Sequence, residues 1–307
     1  MHSTDKISIL IVTYNRCDDC LELLKNISSQ IDADILIGEI LVLNNQSTDS
    51  YKTLEDYINQ STLPFQYIHS SENLGVAKGR NLLIQKAQFP ILLVLDDDVL
   101  LDQKDAIQKA ASLFNKAVFV QNNTAIITLN IFYSETKERQ KNALPHKHYD
   151  IYKDKEWFLT YYFVGAAHVM KKEIFEKTGL YPTDFFYGME EYDLSFRTIE
   201  AGYTLGYDSS IKVWHKESPK GRITNKQKMQ MLWYNKSKVA WRYLPNIYYY
   251  TTAFMWSLQY LKTTRFDFKG FFEQWEEIIH IPKNEERQAL SKKAMEYVKS
   301  VKARLWY

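Results

Sequence analysis

The sequence predicts an α/β protein with a mostly parallel central sheet, helices on both faces and a mainly helical C-terminal extension. Three observations carry that expectation. Short apolar runs alternate with amphipathic segments through the first hundred residues, the pattern of successive βαβ units. The runs ILIV (9–12) and ILLVL (91–95) are apolar throughout, as strands covered on both faces require. Residues 224–307 carry mainly helical patterning.

The elements follow in order. Strands are expected at 7–13 (ISILIVT), 39–45 (EILVLNN), 65–70 (FQYIHS) and 91–98 (ILLVLDDD), with helices at 16–30, 49–60 and 75–88 between them. After residue 100 the pattern loosens, and the polar segment 134–157 reads as a mobile surface loop. A strand and helix return in YYFVGAAHVMKKEIFEKTG, followed by the helix MEEYDLSFRTIEAG and short strands at 203–207 and 211–214. This divides the chain into a domain over 1–222, with halves meeting near residue 100, and an extension over 223–307. In such sheets ligands bind beyond the carboxyl ends of the strands. Three of the first four strands end in polar residues: Thr13-Tyr14-Asn15, Asn44-Asn45 and Asp96-Asp97-Asp98.

With 307 residues, 45% hydrophobic and 25% charged, the chain suits one large domain or a domain with a helical appendage. No stretch of about 18 apolar residues occurs, so no transmembrane helix is expected. The apolar run near the start is brief and leads into turn residues, which reads as a first strand and not a signal peptide. Cys17 and Cys20 are the only cysteines, too few for a four-ligand zinc site, and read as first-helix residues of a cytosolic protein. The net charge of +2 is unevenly spread: residues 209–307 carry 19 Lys and Arg against 8 Asp and Glu. A basic, aromatic last third implies an anionic partner, phosphate or membrane surface, and the run at 247–261 is a candidate interfacial segment. Nothing in the sequence points to nucleic acid. The bland reading of the extension is a helical cap on the core or a homodimer contact.

Four constellations carry chemistry. In LDDDV (95–99), three carboxylates close an apolar strand, which makes sense where a cation holds them; hard oxygen ligands suit Mg²⁺ or Mn²⁺ shared with substrate phosphates. An aspartyl-phosphate hydrolase would also end a strand in DxD, but on its first strand and without Leu at position 100. In ENLGVAKGRN (72–81), Asn73, Gly75 and Gly79 suit a tight turn into a helix, with Lys78 and Arg80 as cations for a diphosphate. In FFYGMEEYDLSFR, helical spacing pairs Asp193 with Arg197, leaving Glu191 as candidate general base and Glu190 as fallback. Last, His215 closes a strand in VWHKES, a nitrogen ligand for the carboxylate cluster.

Taken in order, ISILIVTYNR, EILVLNNQSTDS, ENLGVAKGRN, LDDDV, the GAAHVMKKEIF…YGMEEYDLSFR segment and VWH resemble the family 2 glycosyltransferases of the GT-A fold over about residues 5–217. The basic aromatic tail is similar to that of bacterial rhamnosyl- and related surface-polysaccharide transferases. The resemblance implies that Thr13, Tyr14 and Asn15 frame the base, with Asn44 where the family usually has Asp. Asn73, Lys78 and Arg80 would touch base, ribose or phosphate, and Asp97 would join the nucleotide side. Asp96 would reach ribose and metal, Asp98 would be the main metal ligand, and His215 would complete the shell. Glu191 stands where the family usually has the Asp of a Glu-Asp pair.

The expected activity is therefore metal-dependent, inverting transfer of a hexose or deoxyhexose from a UDP- or dTDP-sugar. The acceptor would be a hydroxyl of a glycan or lipid-linked saccharide in cell-surface polysaccharide or glycolipid synthesis. The expected site of action is the cytoplasm, peripheral to the inner membrane, with loop 134–157 over the acceptor. A non-catalytic sugar-nucleotide-binding protein would have little reason to keep both Asp98 and Glu191. A nucleotidyltransferase would place a glycine-rich, lysine-bearing segment at the first strand, where TYNRCDD stands.

Overall fold

A computed structural model of the chain describes residues 6–218 and 224–306. The strands are β1 (Ile7–Thr13), β2 (Ile37–Asn44), β3 (Phe65–His69), β4 (Ile91–Asp96), β5 (Val99–Leu101), β6 (Thr124–Tyr133), β7 (Trp157–Thr160), β8 (Ala167–Lys171) and β9 (Thr204–His215). The helices are α1 (Cys17–Ser28), α2 (Ala33–Leu36), α3 (Lys52–Gln60), α4 (Gly75–Lys86), α5 (Ala106–Ser112), α6 (Ala117–Gln121), α7 (Tyr149–Tyr152), α8 (Ile174–Thr178) and α9 (Glu190–Glu200), then α10 (Asn225–Tyr243), α11 (Asn246–Thr263), α12 (Phe268–Asn284) and α13 (Lys292–Ser300).

All strands join one sheet in the order β3-β2-β1-β4-β8-β6-β9-β5, with β7 paired to β9. The first four strands are parallel, and the apolar runs of β1 and β4 fit strands covered on both faces. Beyond β4 the sheet turns mixed: β8 is antiparallel to both β4 and β6, and β6 is parallel to β9. Two apolar cores lie on the two faces. One joins β1, β2 and β4 side chains to α1 and α5 through residues such as Leu23, Leu24 and Ile107. The other joins Leu10, Leu43 and Val94 to α4, α9 and the C-terminal helices.

That second core decides the nature of the extension. Trp233, Tyr243, Tyr248, Ile278 and Val298 are buried in the same cluster as Phe185, Leu194, Phe196 and Ile199. Polar contacts reinforce the seam: Tyr243 Oη donates to Asp193 Oδ2 at 2.9 Å, and Tyr297 Oη donates to the Thr160 carbonyl at 2.8 Å. The extension is thus a helical cap sharing the core of α4 and α9, and the boundary placed at 222 lies outside the described residues. No described helix is long and apolar enough to cross a membrane.

Three expectations need correction. The strands foreseen at 203–207 and 211–214 are one strand, β9, carried through a register irregularity where Asp208 accepts from the Ser210 N–H and binds Lys116. The segment 134–157 is not simply a surface loop: Gln140, Ala143, Leu144, Pro145 and His146 are buried, and His146 stacks on Tyr152. The strand expected over 91–98 stops at Asp96, and residues 97–98 form the turn into β5.

Candidate active site

Register brings the polar strand ends into one row. Thr13 pairs with Asn44 across β1 and β2, and Val12 pairs with Asp96 across β1 and β4. Apolar runs ILIV, ILVL and ILLVL precede the last residues of β1, β2 and β4, so these polar ends collect at one edge of the sheet.

On one side of this edge the loops after β1, β2 and β3 are tied together by asparagines. Asn15, at φ 54°, accepts from the Thr48 N–H at 2.8 Å. Asn44 donates to Tyr67 Oη at 2.8 Å and accepts from the Ser47 N–H. Asn45 accepts from the Leu74 N–H at 2.9 Å and donates to Asn73, which accepts from the Gly75 N–H at the start of α4. Thr13 is fully buried against Tyr51 Oη, Tyr14 is partly exposed, and Lys78 is exposed on α4.

At the centre stands the acidic strand end. Asp96, Asp98 and His215 offer ligand atoms that all lie within 4.8 Å of one another. Burial alone would raise the Asp98 carboxyl. The adjacent His215, the Arg16 guanidinium and the Ser218 N–H, which donates to Oδ2 at 2.8 Å, together hold it below its ordinary value. Its Oδ1 lies 3.2 Å from His215 Nε2 yet is buried without a well-aligned hydrogen bond. Burial tends to lower His215, but Asp98 outweighs it and raises the imidazole. His215 Nδ1 meets Gln140 Oε1 at 3.0 Å, and Gln140 also donates to Glu217. Two carboxylates and an imidazole whose other nitrogen is fixed form a chemically fitting set for a divalent cation. Asp97 does not join them. It turns into the protein against Arg16 at 2.9 Å, where burial pushes its carboxyl up to about 7.

On the far side Arg80 reaches through the sheet edge. Its guanidinium donates to Asp96 at 2.9 Å, to the Gly165 carbonyl at 2.9 Å and to Glu191 Oε1 at 3.1 Å. Arg80 is 4% exposed, so it organises carboxylates and does not stand open as a phosphate cation. Glu190 and Glu191 open α9 behind the left-handed residues Gly188 and Met189. Burial and the Glu191 charge push Glu190 up to about 8, and one of its carboxylate oxygens is buried without a partner. Burial also raises Glu191, opposed by Arg80. Of the pair, Glu191 is the one whose carboxylate Arg80 directly stabilises. Asp193 is paired with Arg197 at 2.6 Å, as the spacing indicated.

A model of glycosyl transferase family 2 matches residues 8–179, more than half of the chain. The chain belongs to glycosyl transferase family 2. A Haemophilus influenzae protein of uncharacterized function is 34% identical to this transferase over 183 residues, covering 57% of this chain and 92% of its own. Among solved structures, GalNAc-T7 with UDP, GalNAc and Mn²⁺ aligns at TM-score 0.64 and 15% identity over 91% of this chain, which spans 58% of that one. The mannosyltransferase PcManGT from Pyrobaculum calidifontis, in complex with GDP-Man and Mn²⁺, aligns at 0.58 and 15% identity, covering 96% and 79% of the two chains. Those likenesses establish the GT-A fold.

Sequence reasoning missed three residues of this candidate site. Arg16 closes the Asp97–Asp98 turn at 2.9 and 3.3 Å, and its signal was its place directly after Thr13-Tyr14-Asn15. Gln140 lay in a segment without periodicity. At Gly165 any Cβ would overlap Glu191 Oε1 and sit 3.0 Å from Arg80 Nη1, a constraint visible only in three dimensions.

Proposed function

We infer that the protein transfers a hexose or deoxyhexose from a UDP- or dTDP-sugar to an acceptor hydroxyl with inversion at the anomeric carbon. The acceptor is a glycan or lipid-linked saccharide of cell-surface polysaccharide or glycolipid synthesis, on the cytoplasmic side of the inner membrane. The observation that carries this reading is the Arg80 clamp. One buried guanidinium joins Asp96 of the cation corner to Glu191, so a donor held at the first is presented to a base at the second.

Asp96, Asp98 and His215 would hold Mn²⁺ or Mg²⁺, which supplies positive charge to the leaving diphosphate. Arg16 and Arg80 hold the surrounding carboxylates in place. Glu191 Oε accepts the proton of the acceptor hydroxyl as its oxygen attacks the anomeric carbon and the bond to the nucleoside diphosphate breaks. Attack opposite the leaving group inverts the configuration. Burial raises Glu191 above the ordinary carboxylate value, which makes it a stronger proton acceptor than an exposed glutamate. Glu190 stays protonated beside it, which limits charge repulsion in the pair. The asparagine-tied loops on the other side receive base and ribose.

Donor turnover tests the reading. Incubation with UDP- and dTDP-sugars should release nucleoside diphosphate only when divalent metal is added. Release of pyrophosphate instead would move the protein to nucleotidyl transfer, and nucleotide binding without turnover would make it a binding protein.

A further inference from the structure

The outward face of α11 breaks the rule that surface helices turn polar residues to water. Its stripe Ile247, Tyr250, Phe254 and Leu258 follows 3- and 4-residue spacing, and these side chains are 50, 60, 56 and 47% exposed. No carboxylate occurs anywhere in Asn246–Thr263, and Lys262 is its only charge. The inner face is equally committed, with Tyr249, Ala253 and Tyr260 buried against the rest of the cap. A helix apolar on both sides, lying on a protein surface, calls for a second apolar environment.

The turn that follows shows which one. Phe266 and Phe268 are exposed, 6.2 Å apart between rings, and Phe272 continues them on the first turns of α12. Exposed Lys262, Arg265 and Lys269 stand among these rings. The one carboxylate of the turn, Asp267, is bound by Lys226 at 2.7 Å and by Tyr260 Oη at 2.6 Å. Lys269 is within 3.9 Å of Glu273, whereas Lys262 and Arg265 meet no carboxylate among the described residues' ion pairs. Aromatic and leucine side chains rimmed by such cations match the boundary between acyl chains and anionic headgroups. A second copy of the chain answers less well, because the stripe itself carries no carboxylate to meet Lys262 and Arg265 of its counterpart.

We propose that the α11 stripe and the α11–α12 turn form the surface by which this protein lies on an anionic lipid bilayer. α11 packs on α10, and α10 holds α9 through Arg242 and Asp193 at 3.0 Å. Two helix-to-helix spacings, roughly 20 Å, therefore separate the lipid-facing stripe from the helix that opens with Glu191. On the transferase reading above, that geometry delivers a bilayer-anchored acceptor to the base.

The test is co-sedimentation of the full chain with phosphatidylcholine vesicles, with and without phosphatidylglycerol, alongside metal-dependent donor hydrolysis in solution. Wild-type protein should pellet with the phosphatidylglycerol vesicles. Phe254→Asp with Leu258→Asp should reduce pelleting about tenfold or more, and Lys262→Glu with Arg265→Glu should remove the preference for anionic lipid. Both variants should keep wild-type donor hydrolysis, since these side chains are outside the site. Wild-type protein left in the supernatant, or an aspartate variant that pellets normally, would overturn the proposal. So would a dimer in solution that the aspartate pair dissociates without any vesicle binding. Vesicle binding and donor turnover are read separately, so failure of one leaves the other standing.

Discussion

Gly165→Ala should cripple transfer while leaving the fold and donor binding in place. The glycine is not in a left-handed conformation, so alanine costs nothing in the backbone itself. Its Cβ would overlap Glu191 Oε1 and press on both Arg80 terminal nitrogens at 3.0 and 3.1 Å. The colliding atoms are ends of flexible side chains, so the stability loss should sit near the lower part of the about 1–3 kcal/mol typical of overpacking. Chemistry is less forgiving. The carboxylate must withdraw by about 1 Å, and misplacement of that size costs on the order of 10²-fold in rate. Steady-state kinetics should therefore show kcat down about 100-fold, with donor KM within about threefold because Asp98 and His215 are untouched. Adding Glu191→Asp, one methylene shorter, should recover part of the loss. A folded Gly165→Ala protein with wild-type kcat would refute the placement of Glu191 against this backbone.

The two glutamates should separate cleanly. Glu191→Gln should lower kcat about 10³-fold with nucleotide binding intact, whereas Glu190→Gln should stay within about tenfold at pH 7 because Glu190 is already protonated there. Asp98→Asn should abolish the thermal shift that Mn²⁺ adds to nucleotide. Protons and metal compete for His215, whose value is raised by Asp98. Mn²⁺ affinity should accordingly fall as pH drops through that raised value, and titration calorimetry of His215→Gln should lose the inflection. Trp233→Ala removes a fully buried ring that donates to the Ala253 carbonyl at 2.9 Å, and should cost about 3–5 kcal/mol in one cooperative unfolding transition of domain and cap.

What the sequence made legible follows from how locally each feature is written. β1, β2 and β4 each run through four or more consecutive apolar residues (ILIV, ILVL, ILLVL) into a polar end, so both the parallel half and its ligand edge could be read directly. Asp96, Asp98 and His215 were paired across more than a hundred residues because their types suit one ion, and the structure brings them together. β6 escaped notice although it lies inside the sheet between β8 and β9, since its run TAIITLNIFY mixes polar and apolar residues and follows short irregular helices. Arg80 was legible as a cation but not as a clamp. Its partners Asp96, Gly165 and Glu191 lie 16, 85 and 111 residues away, and no local pattern encodes their convergence. Gln140 was hidden for the same reason: it sits in an aperiodic segment fixed by His215 and Glu217. The C-terminal cap showed its helices but not its docking, which depends on Trp233 and Tyr243 meeting α9.

The most direct measurement is an anomalous-difference map from crystals grown with Mn²⁺ and a nucleoside diphosphate. A manganese peak bonded to Asp96, Asp98 and the His215 imidazole, with the diphosphate on its open side and Glu191 across the cleft, is the predicted result. A peak elsewhere, or nucleotide bound with these three side chains uninvolved, would contradict the assignment of the acidic strand end as the catalytic corner.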